Sequence, residues 1–463
     1  MKKRDSFTNR LGFILACVGS AVGMGNLWMF PTRVSLYGGG SFLIPYFIFV
    51  VLIGATGVIG EMAFGRAARS GPVNAFGMAL ESRGKRKLGE ALGLIPTVGA
   101  LAMAIGYTVV MGWILKYAVG TFTGATLAPA DVDSYAAAFG GMASAFGNNG
   151  WQIAALLLCI LIMMMGIGQG IEKANKIMMP LFFLLFVGLA VYIALQPGAV
   201  AGYRYIFRVD PVALKNPMTW IYALGQAFFS LSLGMGVMMT YASYLSNEDN
   251  LISNTGIVCV LDTLVALFAG FMIIPAVFAT GIAPGMGGGF GFATLAGVFM
   301  AIPGGQLIGT VFYFLLFFAA ITSSTSILEG TIAFLVEEKG FERKKALFGA
   351  SIVIFIIGVM YTLSQAYMNL KGIWISGDGI SYPIFGDFLE YLTDRLLLPL
   401  GAFFTTVFVG WIWGTDNSVE EATSYGKFKF TLAPVYKFIV KILDPIAIGV
   451  IIIAGLVFGM SIS

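Results

Sequence analysis

Residues 19–31 read GSAVGMGNLWMFP, inside the first long apolar run of the chain. Gly23, Gly25, Asn26 and Pro31 would sit near the middle of a helix crossing lipid. Unpaired backbone groups are costliest at that depth, because no water is there to bond them. The stretch therefore predicts a helix interrupted inside a membrane, and its surroundings decide what the interruption serves.

Those surroundings are apolar. Of 463 residues 58% are hydrophobic and only 11% charged, against roughly 25% charged in a soluble domain, and mean hydropathy is +0.89. Runs of twenty or more apolar residues recur along the chain, each able to span ~30 Å of hydrocarbon. The chain reads as an all-α polytopic membrane protein. Continuous runs exclude the alternating ten-residue strands of a membrane β-barrel. The first run is too long for a signal peptide. The sequence has no histidine, which removes imidazole bases, ligands and proton relays. Cys17, Cys159 and Cys259 lie in apolar runs without metal-like spacing. With isolated acids and cysteines, no enzyme centre is assembled; a transporter or a sensor fits better.

Eleven membrane segments are predicted, at about 11–35, 41–69, 88–122, 150–168, 176–196, 217–245, 252–281, 304–336, 344–363, 384–414 and 434–460. They are called segments 1 to 11 below. Most of the 27 lysines and arginines fall before segment 1 and in the 2–3, 4–5, 8–9 and 10–11 connections. The positive-inside rule makes that side cytoplasmic, with the N-terminus. An odd count puts the C-terminus outside. The other connections are longer and less basic. Residues 123–149 are small and polar, 364–383 are mixed, and 282–303 are rich in glycine and proline, either a re-entrant lid or a flexible loop.

Segment 6 repeats the anomaly. FFSLSLGMGVMM at 228–239 returns the tripeptide Gly-Met-Gly five segments later. A duplicated five-helix unit enters the membrane from the opposite side the second time. Interruptions at matching places in two halves point to an inverted-repeat transporter and its binding site. Half-helix ends favour an anion at the N-terminus and a cation at the C-terminus, so two facing breaks could hold a zwitterion without a charged side chain. Glycines that merely allow close helix packing are the alternative. Segment 8 adds AAITSSTS at 319–326, hydroxyls and carbonyls of the hard kind that sodium prefers. Asp262 in VCVLDTLVALFAG lies near the middle of segment 7, and intramembrane acids usually face a pathway or an ion. Glu61 and Glu329 lie nearer cytoplasmic ends.

RLGFILACVGSAVGMGNLWMFP, YGGGSFLIPY, GQAFFSLSLGMGVMMTYASY and FFAAITSSTSILEG together resemble the neurotransmitter:sodium symporter family, in particular its eleven-helix bacterial amino-acid transporter branch. The resemblance implies two inverted five-helix repeats (1–200 and 201–415) with helices 1 and 6 unwound at the centre, plus an extra helix (416–463), all one transporter domain in the cell membrane. It implies two sodium sites. The first comprises the Ala21 carbonyl, Asn26, Ser230 and Asp262. The second comprises carbonyls of Gly19, Val22 and Ala319 with the hydroxyls of Thr322 and Ser323. The substrate amine would meet carbonyls around Ala21, Phe229 and Ser232, and its carboxylate Gly25 and Tyr107. Met103, Phe229, Met235, Ser323 and Ile327 would line the side-chain pocket.

The resemblance also locates departures. Asp262 replaces the asparagine of animal members, and Ala266 stands where they bind chloride. The implied function is sodium-coupled, chloride-independent symport of a neutral, aromatic or hydrophobic L-amino acid by alternating access. Alternatives are a proton-coupled or other-substrate transporter of the same fold, or an amino-acid sensor. The partners expected are a small amino acid, sodium and lipid, and no nucleic acid. At the inner gate Arg4 and Glu337 match the family's ion pair, beside Phe7 and Tyr244. At the outer gate the family's charged pair is replaced by Met29 and Leu397, which predicts an apolar or water-mediated closure.

Overall fold

The computed structural model describes residues 5–127, 132–143, 146–281, 290–366, 374–376, 379–381 and 384–459. Among these, nine helices are long and apolar enough to cross a bilayer, and Arg10–Ala21 with Gly25–Leu36, bent by 54°, makes a tenth if the pair is one span. The sequence predicts eleven. The difference lies in segment 6, which falls into Pro217–Ser230 and Val237–Ala242, each short of the ~20 residues a span needs. The antiparallel hairpin Trp374–Ser376 with Gly379–Ser381 departs from an all-helical chain.

Helix starts follow local chemistry. Asn9 Oδ1 accepts from Gly12 N at 2.9 Å and Asn250 Oδ1 from Ser253 N at 3.0 Å, capping segments 1 and 7. Segment 7, Leu251–Thr280, ends on Gly281 in the left-handed region. Leu157, Leu184, Val191, Ile352 and Ile453 are exposed, as an outer surface facing hydrocarbon requires. The cysteines are buried.

Segment 1, the two halves of segment 6 and segment 8 form the centre, with segment 3 packed most extensively against segment 8. At the end of the bundle where the N-terminal chain lies, a buried clamp ties connections together. Arg66 pairs with Glu421 at 2.6 Å and donates to Asp249 O at 2.8 Å. The chain before segment 1 is strapped to the start of segment 5: Asp5 accepts from Ile167 N, and Glu172 from Thr8 N at 2.6 Å.

Two connections hold more structure than the sequence suggests. Val132–Ala143 is helical. Of the glycine-rich connection, 282–289 lie outside the described residues, whereas Gly291–Ala301 is a short apolar helix. Its Phe292 is fully buried, 5.8 Å from the Trp28 ring and 5.1 Å from Phe139. This part is a packed plug.

Candidate functional site

The helix of segment 1 stops at Val22, whose backbone turns extended (φ −71°, ψ 107°). Its last carbonyls have no helical donor. Ser323 Oγ of segment 8 lies 3.2 Å from Gly19 O, 3.3 Å from Ser20 O and 3.1 Å from Val22 O. One hydroxyl proton cannot serve three carbonyls, so acceptors remain in surplus. Thr322 Oγ1 turns its own proton to its helix, 3.0 Å from Ala319 O, which leaves lone pairs facing outward. An ideal Cβ on Gly19 would be 3.0 Å from Thr322 Cβ, so segments 1 and 8 meet here backbone to side chain. The result is a neutral, oxygen-rich set suited to a hard cation.

Four residues on, Asn26 holds the break from within. Its Oδ1 accepts from Gly23 N at 3.3 Å, replacing a helical carbonyl. Its Nδ2 donates to Ser230 Oγ at 3.1 Å and to Asp262 Oδ1 at 2.8 Å. Ser230 Oγ donates to Asp262 Oδ2 at 2.5 Å. Asp262 is fully buried, and among the described residues no lysine or arginine makes a salt bridge to it. Three segments thus converge on one acid.

Segment 6 breaks immediately after Ser230. Ser232, Gly234 and Gly236 all have positive φ (56°, 84° and 66°). Gly234 is forced: a Cβ there would also lie 2.5 Å from Leu398 O. Ser232 Oγ donates to Ser20 O at 3.1 Å, joining the two breaks directly. Gly25 leaves room for Phe229, whose ring would lie 2.9 Å from a Cβ at that position.

Beside the breaks opens a cavity of about 700 Å³. Along segment 1 it is lined from Met24 to Tyr37, so it follows that segment's second half. Met103, Tyr107 and Phe229 line it near the breaks. Tyr107 Oη is buried with no hydrogen bond among the described residues, and a Cβ on Gly23 would meet it at 2.7 Å. An orphaned phenol beside a broken helix is a hydrogen-bond donor in waiting. Met235, Ser323 and Ile327 are buried but do not line this cavity.

The gates differ from expectation in part. Arg4 lies outside the described residues, and Glu337 sits at the end of segment 8. Phe7 packs edge-on against Tyr244 at 6.4 Å, and Tyr244 Oη donates to Glu329 Oε1 at 3.1 Å. Arg343 grips Glu329 with two bonds, 2.9 and 2.6 Å, a pair that sequence reasoning did not find. At the other mouth Met29 lines the cavity, whereas Leu397 does not and packs toward Gly99. Nor is this mouth apolar. Arg33 and Asp394, one turn beyond Met29 and Leu397, both line the cavity and are buried. Arg33 donates to Gln226 Oε1 at 2.9 Å and lies over the Tyr222 ring at 5.6 Å. Gln226 in turn donates to Gly25 O at 3.0 Å, linking the mouth to the break. A search one turn either side of the missing pair would have found both charges.

Comparison with known proteins agrees with this arrangement. The chain matches the sequence profile of the Sodium:neurotransmitter symporter family over residues 4–138 and 138–462. It is 32% identical over 412 residues to the uncharacterized sodium-dependent transporter YhdH of Bacillus subtilis, with 88% of each chain covered. An uncharacterized sodium-dependent transporter of Haemophilus influenzae is 32% identical over 464 residues, covering 98% of this chain and 99% of that one. The crystal structure of MhsT in complex with L-phenylalanine superposes with a TM-score of 0.84 at 33% identity, covering 98% of this chain and all of that one.

Proposed function

The chain belongs to the sodium:neurotransmitter symporter family, and from that premise we propose that it couples sodium entry to uptake of a neutral, hydrophobic or aromatic L-amino acid, without chloride. It is a multi-pass membrane protein of a transporter family, not of an enzyme family. In this reading segments 1–5 and 6–10 are inverted repeats (1–200 and 201–415) within eleven spans, the last (in 416–463) standing apart. The broken helices 1 and 6 form the pivot of alternating access.

One observation carries the reading: Asn26, Ser230 and Asp262 converge at the two breaks, beside the cavity that Tyr107 and Phe229 line. The first sodium ion would take the Ala21 carbonyl with Asn26, Ser230 and Asp262. The second would take the Gly19, Val22 and Ala319 carbonyls with Thr322 and Ser323. Asp262 supplies the negative charge that a neutral cradle lacks in low dielectric, and buried Ala266 offers an anion no donor. The substrate carboxylate would reach Gly25 N and the Tyr107 hydroxyl, and its amine the carbonyls around Ala21, Phe229 and Ser232. Beside the breaks Met103 and Phe229 line the cavity and would leave an ionised substrate side chain unpaired, while a deformable methionine accepts large apolar ones. MhsT, with L-phenylalanine in its complex, supports the same substrate class.

At the mouths, Arg33 and Asp394 would close the outer side above Met29. Phe7, Tyr244 and the Glu329–Arg343 pair, with Glu337 nearby, would close the inner one. The basic connections support an N-terminus in the cytoplasm. The test is uptake by proteoliposomes of labelled phenylalanine, tyrosine, leucine and tryptophan under an inward sodium gradient, with chloride then replaced by gluconate. Sodium-dependent uptake indifferent to the replacement is expected. Binding without accumulation or counterflow would make the protein a sensor, and uptake driven by pH alone would refute sodium coupling.

A further inference from the structure

A second, smaller cavity of about 20 Å³ lies on the other side of the segment 6 break, between segments 2, 10 and 11. Glu61 and Asp444 line it, with Thr405 and Thr406, against the apolar Phe228 and Leu233. Both acids are buried, 2% and 1% exposed. Four other buried acids have cationic or multiple donors: Glu329 has Arg343, Glu421 has Arg66, Glu172 has Lys176, and Asp262 has Asn26 and Ser230; a fifth, Asp394, lines the large cavity with Arg33.

Glu61 and Asp444 have neither. Glu61 Oε1 accepts from Gly234 N at 2.9 Å, but its Oε2 is buried without a hydrogen-bond partner among the described residues. Thr56 Oγ1 lies 3.3 Å from Asp444 Oδ2, yet its single proton is drawn to Leu52 O at 2.6 Å. Thr405 and Thr406 likewise spend their protons on Gly401 O and Phe403 O. Every oxygen facing the cavity is therefore an acceptor. Among the described residues no lysine or arginine lines it. Lys441, three residues before Asp444, is exposed over the Trp411 ring, and Tyr436, near Gly60, shares its hydroxyl with Ser418. Two carboxylates in hydrocarbon without a counter-charge are not tolerated. Something positive must sit between them, and the space admits only a particle of water size or smaller.

We propose that Glu61 and Asp444 bind a monovalent positive charge, sodium or a proton, at a site separate from the two sodium sites at the breaks. Glu61 holds the Gly234 amide with its other oxygen, so occupancy is transmitted straight to the hinge of segment 6. Loss of the charge leaves two carboxylates repelling each other across the hinge, which loosens the break.

The two sources are separable on the purified full chain in detergent, with Glu61→Gln and Asp444→Asn as conservative variants. Unfolding midpoints are measured against sodium concentration, with choline as replacement, and separately against pH. If sodium is the ligand, both variants lose about one ion from the sodium linkage slope. If a proton is the ligand, the folded protein holds more protons than the unfolded chain, so wild-type stability falls as pH rises, and both variants flatten that fall. The infrared band of a protonated carboxyl would then weaken in each variant. Either result supports the site. Should one variant fail to fold, the other is read alone. Wild-type sodium and pH slopes retained in every variant that folds, with an unchanged carboxyl band, would overturn it.

Discussion

Two residues carry most of the chemistry proposed here, and each can be tested by removing one atom or one charge. Tyr107 buries a hydroxyl that has no hydrogen-bond partner among the described residues. Tyr107→Phe should cost substrate binding what a hydrogen bond to a charged group is worth, ~1.5–3 kcal/mol, or roughly 10- to 100-fold in affinity. Sodium binding in the absence of substrate should be unaffected. Equal amino-acid affinity in equilibrium binding would remove Tyr107 from the carboxylate site. Asp262→Asn keeps the shape and deletes the charge, so sodium-driven uptake should fall by at least ~10-fold, the effect of about 1.4 kcal/mol. Near-normal sodium dependence in that variant would show that the charge is supplied elsewhere. Asp262 stands out in the sequence because a charged group at membrane depth is expensive, whereas Tyr107 is pointed to only by the family resemblance.

At the scale of elements, the breaks were equally legible, because closely spaced glycines weaken a helix at a depth where lipid cannot bond the freed backbone. What they pack against was not. Gly234 is fixed by its left-handed backbone and by Leu398 O. Gly234→Ala should destabilise the protein by on the order of 1–3 kcal/mol, visible as a lower unfolding midpoint; an unchanged midpoint would mean the break relaxes freely. The outer mouth carries two charges that the loss of the family's pair at Met29 and Leu397 does not announce. Arg33 and Asp394 lie near segment ends, where charge usually anchors a helix at the interface, and nothing local reveals that both turn into one cavity. If they act together across the mouth, Arg33→Met and Asp394→Leu should each impair uptake and the double variant should recover part of it, because losing one partner is worse than losing both. A double-mutant cycle on uptake should give a coupling energy of ~0.5–3 kcal/mol. A coupling near zero would mean that they act separately. Glu329 and Arg343 escaped for a related reason: their pairing is made by the turn between segments 8 and 9.

For the whole molecule, the alternation of basic and less basic connections predicts a sidedness that can be tested directly. Basic connections alternate with less basic ones, and no bilayer is needed to see it. The expected labelling follows, and the buried native cysteines leave little background. In intact cells an impermeant thiol reagent should reach Lys215→Cys and not Lys85→Cys; the opposite pattern would invert the topology. The packed helix Gly291–Ala301 was beyond sequence reading. Its glycine-rich approach resembles a loop, and only the aromatic cluster around Phe292 makes it a plug.

Asn26 has an optical consequence. The same side chain caps Gly23 and grips Asp262, so an ion drawing on its oxygen must disturb the backbone at Gly23, five residues before Trp28. That indole stands in the cavity wall against Phe292. Sodium alone, before any substrate, should therefore shift the emission of this tryptophan, and Trp28→Phe should silence that part of the signal.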